Sequence, residues 1–206
     1  MIVGVHPIDP EPRKIERLVE MLKAGGVLVC PTDTVYAFVC SAHQARAIEH
    51  VAWLKGVKPQ KAELSLICGD LSQLSTYARA VDTAAFRLMK RALPGPYTFI
   101  LPATKDVPRR LLHPKKLTVG VRIPGVPVVR ALLEELGEPL VSSTLLLPGE
   151  EQPMTQGWEI KETLDHAVDA VVDAGECGTE PTTVIDLSGS EPEVLRVGGG
   201  DPSRFE

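Results

Sequence analysis

The chain has 206 residues, 44% hydrophobic and 24% charged, which suits one large globular domain with its own core and is short for two. It holds no apolar run of about 18 residues, and its first residues, Met1-Ile2-Val3-Gly4-Val5-His6-Pro7, lack the basic-then-apolar layout of a secretory signal; a cytoplasmic, non-membrane protein is expected. The formal charge of −5 is unevenly spread: over residues 134–193 fifteen acidic side chains meet one basic one, Lys161, so the positive charge lies in the first two thirds.

Residues 11–24 carry Ile15, Leu18, Val19 and Leu22 at helical spacing, and Gly25-Gly26 behind them predicts a left-handed C-cap. Residues 27–39 organise the rest: an apolar run breaks at Pro31 into a loop holding Thr32, Asp33, Thr34 and Tyr36, then resumes. Proline cannot donate to a sheet ladder, so Pro31 ends a strand. Polar clusters at strand ends are where open α/β sheets bind ligands, a plain connecting turn being the alternative. Ser41 is expected to cap a second helix reaching Leu54, with Ala45, Ile48, Val51 and Ala52 on one face.

Residues 55–61, Lys-Gly-Val-Lys-Pro-Gln-Lys, read as a basic loop and 64–68 as a strand. Asp82 caps a helix ending near Leu93, Pro94-Gly95-Pro96 stops it, and residues 97–101 form the next strand. Residues 117–123 alternate, placing Thr118, Gly120 and Arg122 on one strand face, an arrangement that presents a guanidinium to a carboxylate or phosphate. Residues 126–136 read as a helix buried through Val129, Leu132, Leu133 and Leu136 and closed by Gly137, with a strand at 140–144 after it. A polar loop at 149–157, a weak helix over 158–166, and strands at 167–172, 182–187 and 194–197 follow, before a flexible Gly198-Gly199-Gly200 run. Helices interleaved with strands predict a single α/β domain with a large, twisted, mixed sheet flanked by helices.

Cys30, Cys40, Cys68 and Cys177 form no Cys-x-x-Cys pair, and three lie in or beside apolar runs, the pattern of buried reduced thiols. The five histidines show no metal-site spacing either, so no protein-bound transition metal is expected. Lys105, Arg109, Arg110, Lys115, Lys116 and Arg122 are the densest basic group, with Arg87, Lys90 and Arg91 close before it: either a solvated face or a surface for phosphates or RNA.

Several strands end in hydroxyls or a guanidinium: Thr32/Thr34, Thr118/Arg122, Ser142/Ser143/Thr144, Thr182/Thr183 and Arg196. There is no Walker loop, no Gly-x-Gly-x-x-Gly, no nucleophilic serine elbow and no histidine dyad. An enzyme built this way works by holding charged reactants with hydroxyls, backbone amides and cations.

The stretches Pro31-Thr-Asp-Thr-Val-Tyr36, Pro94-Gly-Pro-Tyr-Thr-Phe99, Thr118-Val-Gly-Val-Arg-Ile-Pro124, Gly137-Glu-Pro-Leu-Val-Ser-Ser-Thr144, Pro181-Thr-Thr-Val-Ile-Asp186 and Leu195-Arg196 together resemble the YrdC-like family of threonylcarbamoyl-AMP synthases, most of all its YciO branch. The resemblance implies a twisted α/β sheet with a concave basic cavity. It implies a reaction in which ATP, L-threonine and bicarbonate give threonylcarbamoyl-AMP and pyrophosphate, for the t6A modification of tRNA. Thr34, Tyr36, Arg122, Ser142 and Thr182 then stand where the family holds threonine, Arg122 meeting its carboxylate. Lys55, Lys58, Thr118, Thr144 and Arg196 stand on the nucleotide side, Lys55 as the catalytic cation, and Mg2+ comes with the ATP. At this length the extra C-terminal domain that some members carry is not expected.

Two departures from the family pattern stand out. Its Lys-x-Arg-Pro loop is here Lys55-Gly56-Val57-Lys58-Pro59, so the phosphate-facing arginine is replaced at best by Lys58, a point charge without the guanidinium fork. Its Ser-x-Asn signature is here Thr144-Leu145-Leu146, which keeps a hydroxyl and loses an amide. Three readings follow: a synthase of weakened activity; a non-catalytic paralogue associated with tRNA or other structured RNA; or a fold-keeping paralogue that binds another small acid or nucleotide. With only 4% aromatic residues, contact with RNA is expected at phosphates rather than bases.

Overall fold

The computed structural model describes residues 1–79 and 82–205. The chain enters the sheet at one edge with β1 (Ile2–Gly4), a strand too short to show in the sequence pattern. Helix α1 (Pro12–Lys23) follows, burying the expected Ile15, Leu18, Val19 and Leu22, and Gly25 leaves it with φ +88°. At about 1.5–3 kcal/mol per buried side chain, these four supply much of what seats the helix. The run broken at Pro31 folds as β2 (Leu28–Cys30) and β3 (Ala37–Ser41), paired antiparallel, with the 31–36 loop between them.

Helix α2 spans Ala45–Leu54, but Ser41 does not cap it: Ser41 is the last residue of β3, and its hydroxyl bonds the Glu138 carboxylate and accepts from His43 N–H. Ala45 is correspondingly exposed, and Ala47 takes a buried place. Next come β4 (Ser65–Ile67) and α3 (Leu71–Tyr77), a helix absent from the sequence reading and capped by Asp70, whose carboxylate accepts from Gln73 N–H at 2.7 Å. Asp82 does cap α4 (Thr83–Ala92), accepting from Ala85 N–H at 2.8 Å.

The remaining elements are β5 (Tyr97–Pro102), β6 (Thr118–Arg122), α5 (Pro127–Leu136, ended by Gly137 at φ +74°), β7 (Leu140–Thr144), α6 (Gly157–Thr163), β8 (Ala170–Asp173), β9 (Thr183–Asp186) and β10 (Glu193–Arg196). The ten strands form one mixed sheet in the order β1-β8-β2-β3-β7-β4-β6-β5-β9-β10. This is the expected α/β architecture. All four cysteines are free and buried, and among the described residues no helix is long and apolar enough to cross a membrane.

How the helices are shared between the two faces creates the site. Helices α2, α3, α4 and α6 pack on one face over Phe38, Leu66, Phe99, Val121 and Val141. On the other face α1 and α5 cover Leu28, Val39, Ile67, Leu140 and Ala170, which belong to β2, β3, β4, β7 and β8. Cross-strand partners share a face. In register with Val39 lie Ser142, then Ser65, Gly120 and Ile100 on successive strands. Along that row the apolar packing stops and small or polar side chains begin.

Candidate functional site

The part of this face without helices is a concave cavity of about 240 Å³. Ser65, Thr98, Ile100 and Gly120 floor it, Ser142, Ser143 and Thr144 of β7 form one wall, and Thr182, Val184 and Arg196 form the opposite one. Glycine keeps the floor low. A Cβ at residue 120 would stand 3.0 Å from Ser65 Oγ and 3.3 Å from Thr98 Cγ2.

Arg122 lines the cavity and is only 5% exposed. Its Nη2 donates to Asp33 Oδ1 at 3.1 Å and lies 3.5 Å from the hydroxyls of Thr32 and Thr34. Burial pulls the guanidinium pKa down, the Asp33 carboxylate opposes this, and nearby Arg196 adds to it; arginine nevertheless keeps its charge. Across the floor the Thr98 and Thr182 hydroxyls are 2.8 Å apart, and Arg196 donates from Nε and Nη2 to Thr182 O at 3.2 and 3.1 Å. The cavity thus presents a buried cation, a second cation at its wall and a ring of hydroxyls, a donor set suited to an anionic ligand that also carries hydrogen-bonding groups.

Lys55, the C-cap of α2, reaches the β7 wall: its Nζ donates to Ser143 Oγ at 2.7 Å, and Ser143 Oγ donates to Ala62 O at 2.6 Å. Burial lowers the Lys55 pKa, Glu63 opposes the fall and Arg196 adds to it. A second lobe of about 310 Å³ shares Glu63, Leu64, Ile100 and Gly120 with the first and adds Thr118, His113, Lys116 and Asp186. Lys116 Nζ stands 3.7 Å from Asp186 Oδ2 there. Glu63, on the border of both lobes, holds φ +51°, a left-handed conformation that a non-glycine residue adopts at a cost.

Arg122, Ser142, Thr144, Thr182 and Arg196 therefore line one cavity, as expected of a common site. Thr34 lies beside the guanidinium, Thr118 lies in the second lobe, and Lys55 lines neither lobe but bonds Ser143 of the cavity wall. Two expected residues lie elsewhere. Tyr36 is fully buried with its hydroxyl donating to Gly175 O at 2.7 Å, and Lys58 is exposed at the start of the 3-10 turn Pro59–Lys61, lining neither lobe. The glycine run expected to be flexible is instead bonded in place: the buried Thr183 hydroxyl donates to Gly200 O at 2.6 Å and accepts from Gly198 and Gly200 N–H at 2.9 and 3.0 Å. The sequence marks Asp33 only as a member of the polar 31–36 loop, without a partner, and gives no site role to Glu63, Ser65 and Thr98. Ser65 and Thr98 were findable, because each occupies the cavity-facing phase of its strand alternation.

Comparison with known proteins places this geometry. Residues 20–198 match the Sua5/YciO/YrdC family, described as "Telomere recombination". The chain belongs to the Sua5/YciO/YrdC family. It is 47% identical over 201 residues to the uncharacterized protein YciO of Escherichia coli, spanning 98% of this chain and 97% of that one. It is 31% identical over 199 residues to the threonylcarbamoyl-AMP synthase of Bacillus subtilis, 96% of this chain and 56% of that longer protein.

Among solved structures of the Sua5/YciO/YrdC family, E. coli YciO superposes with a TM-score of 0.94 at 45% identity, covering 100% of this chain and 99% of that one. P. abyssi Sua5 complexed with L-threonine superposes at 0.88 with 28% identity, covering 97% of this chain and 58% of that one. The domain as a whole is thus that of the Sua5/YciO/YrdC family.

Proposed function

We propose that the cavity binds L-threonine through Arg122 and that the chain is a threonylcarbamoyl-AMP synthase of reduced turnover. The observation that supports this most directly is a buried guanidinium opening into a cavity ringed by the hydroxyls of Ser142, Thr98 and Thr182, with Thr34 beside it. Arg122 receives the amino-acid carboxylate, and the hydroxyl ring receives the amine and side-chain hydroxyl. A relative of the same fold, P. abyssi Sua5, has been crystallised with L-threonine.

In the reaction, the threonine amine adds to bicarbonate with loss of water, and the resulting carbamate oxygen attacks the α-phosphorus of ATP as pyrophosphate leaves. ATP lies toward the second lobe, beside Thr118, and reaches Thr144 and Arg196 on the walls of the first. Lys55, held by Ser143, supplies positive charge to the phosphates. Mg2+ bound to the nucleotide adds charge neutralisation of those phosphates. The residues present fit an ion carried mostly by phosphate: Glu63 and Asp186 line the second lobe, and among the described residues no three His, Cys, Asp or Glu side chains converge on a metal. Turnover is reduced because Val57 and Leu146 stand where the family has an arginine and an asparagine, and Lys58 is exposed and lines neither lobe. Two lost charge-assisted bonds remove about 3–6 kcal/mol of transition-state stabilisation.

Titration calorimetry with L-threonine, then with ATP and Mg2+ in the presence of threonine and bicarbonate, tests this reading. Threonine binding abolished by Arg122→Met supports it; heat that survives the substitution refutes it.

A second reading, binding of tRNA or other structured RNA, is favoured by one feature. Two 3-10 turns, Pro59–Lys61 and Arg109–Leu111, pack together at the mouth of the second lobe, and Lys58, Lys61, Arg109, Lys115 and Lys116 are exposed around them. RNA held this way binds with a steep salt dependence and is indifferent to Arg122→Met.

A further inference from the structure

Among the described residues, two buried side-chain atoms have no hydrogen-bond partner, Arg122 Nε and Asp33 Oδ2, and they belong to the same ion pair. The pair is held by a single bond, Nη2 to Oδ1 at 3.1 Å. A guanidinium facing a carboxylate can form two parallel bonds, from Nε and Nη2 to the two oxygens. Here the donor and the acceptor of the second bond are both present, both shielded from water and both unused. The pair is one bond short of its full form.

The two partners differ in freedom. Arg122 ends an interior strand, with β4 and β5 on either side, whereas Asp33 lies on the 31–36 loop. That loop is closed on itself by Thr32, whose hydroxyl donates to Val35 O at 2.6 Å and accepts from Thr34 and Val35 N–H at 3.3 Å each. The loop is also held from outside: the Thr32 and Thr34 hydroxyls lie 3.5 Å from Arg122 Nη2, Leu145 N–H donates to Tyr36 O at 3.0 Å, and Thr32, Thr34, Val35 and Tyr36 are buried. Of the two side chains in the ion pair Asp33 is the more exposed, 15% against 6%, so a rotation of the Asp33 carboxylate is the movement open to the pair.

We infer that Asp33 is the positioning residue of the carboxylate site: when a ligand carboxylate engages Arg122 from the cavity, Asp33 closes onto the Nε–Nη2 edge and completes the two-bond pair. The inference rests on the proposed reading that Arg122 receives an amino-acid carboxylate. Closure fixes the plane of the guanidinium and leaves its remaining edge to the ligand. An isolated anion gains from the charge of Arg122 alone; an amino acid with several groups to place gains from its orientation.

The test is the Nε–H signal of Arg122 in a nitrogen-15 spectrum, assigned by its loss in Arg122→Lys, with L-threonine affinity followed by calorimetry. Saturating L-threonine is expected to shift this signal downfield and slow its exchange with water. In Asp33→Asn the shift is expected to vanish and L-threonine affinity to fall by about tenfold or more, with pyrophosphate affinity unchanged. Threonine binding to the natural chain without any change at Nε–H, or an Asp33→Asn chain that binds threonine as tightly or more tightly, overturns the inference and leaves the threonine reading standing. The natural chain carries the spectroscopic test even where Asp33→Asn fails to fold. No threonine heat at all refutes both.

Discussion

Lys55 and Ser143 are joined by a 2.7 Å hydrogen bond that ties the end of α2 to the central strand β7 and sets an ammonium against a residue of the cavity wall. With Ser143 donating onward to Ala62 O, the serine oxygen is oriented to accept from Lys55, and the lysine is placed before any ligand arrives. Preorganised charge of this kind is the main catalytic resource open to a site without a nucleophile.

The Lys55 environment has a pH consequence. Burial lowers its pKa and Glu63 holds it up, so the ammonium loses its proton below the ordinary lysine value of 10.5. Affinity for pyrophosphate, which needs that charge, is expected to fall as pH rises through the lowered pKa. Glu63→Gln removes the opposing influence, and the fall is expected to set in at a lower pH. Calorimetric titrations across the alkaline range check the order of the two curves; a Glu63→Gln curve displaced upward contradicts the assignment.

Glycines at the site divide into two kinds. A Cβ at Gly120 meets the small Ser65 side chain at 3.0 Å and otherwise enters the cavity, so Gly120→Ala is expected to cost no more than about 1–3 kcal/mol of stability while weakening ligand binding about tenfold or more. A Cβ at Gly200 would lie 2.4 Å from the Tyr97 ring, so Gly200→Ala is expected to lower the melting temperature markedly. Thermal melts paired with threonine titrations separate the two; equal effects of both variants on melting would count against the cavity floor described here.

Tyr36→Phe separates a structural role from a binding one. The hydroxyl donates to Gly175 O, a residue open to water, and its removal costs about the net value of one hydrogen bond, about 0.5–1.5 kcal/mol. Denaturant unfolding is expected to show this loss with threonine affinity unchanged. A variant of full stability and weakened threonine binding would put Tyr36 back in the site.

Restoring the two family residues, Val57→Arg with Leu146→Asn, is expected to raise pyrophosphate release about tenfold or more by returning charge-assisted contacts to the nucleotide. Val57 is 37% exposed at the loop beside Lys55, which leaves room for the longer side chain. Unchanged turnover in the double variant would mean that reduced activity has another cause.

Much of the fold could be read from periodicity. Four apolar residues at helical spacing marked α1, Gly137 marked the end of α5, and the alternation through Thr118, Gly120 and Arg122 placed the guanidinium on the face where the cavity lies. β1, three residues long, is shorter than any period that would reveal it. α3 buries only Leu74 and Tyr77 among serines and threonines, so its cap at Asp70 was its one signal. Ser41 misled because a hydroxyl before a helical stretch serves equally well at a strand end, where Glu138 is 97 residues away in sequence. The partner of Asp33 was hidden for a related reason. The ion pair with Arg122 forms only when the sheet brings β6 beside the 31–36 loop, and no local pattern encodes that.

One assay tests the synthase reading most directly: pyrophosphate release by the natural chain with ATP and Mg2+, measured with L-threonine and bicarbonate together and with each left out. The prediction is slow release that requires both and is abolished by Arg122→Met. Release that is indifferent to threonine, or none when both are present at saturating concentration, would contradict it.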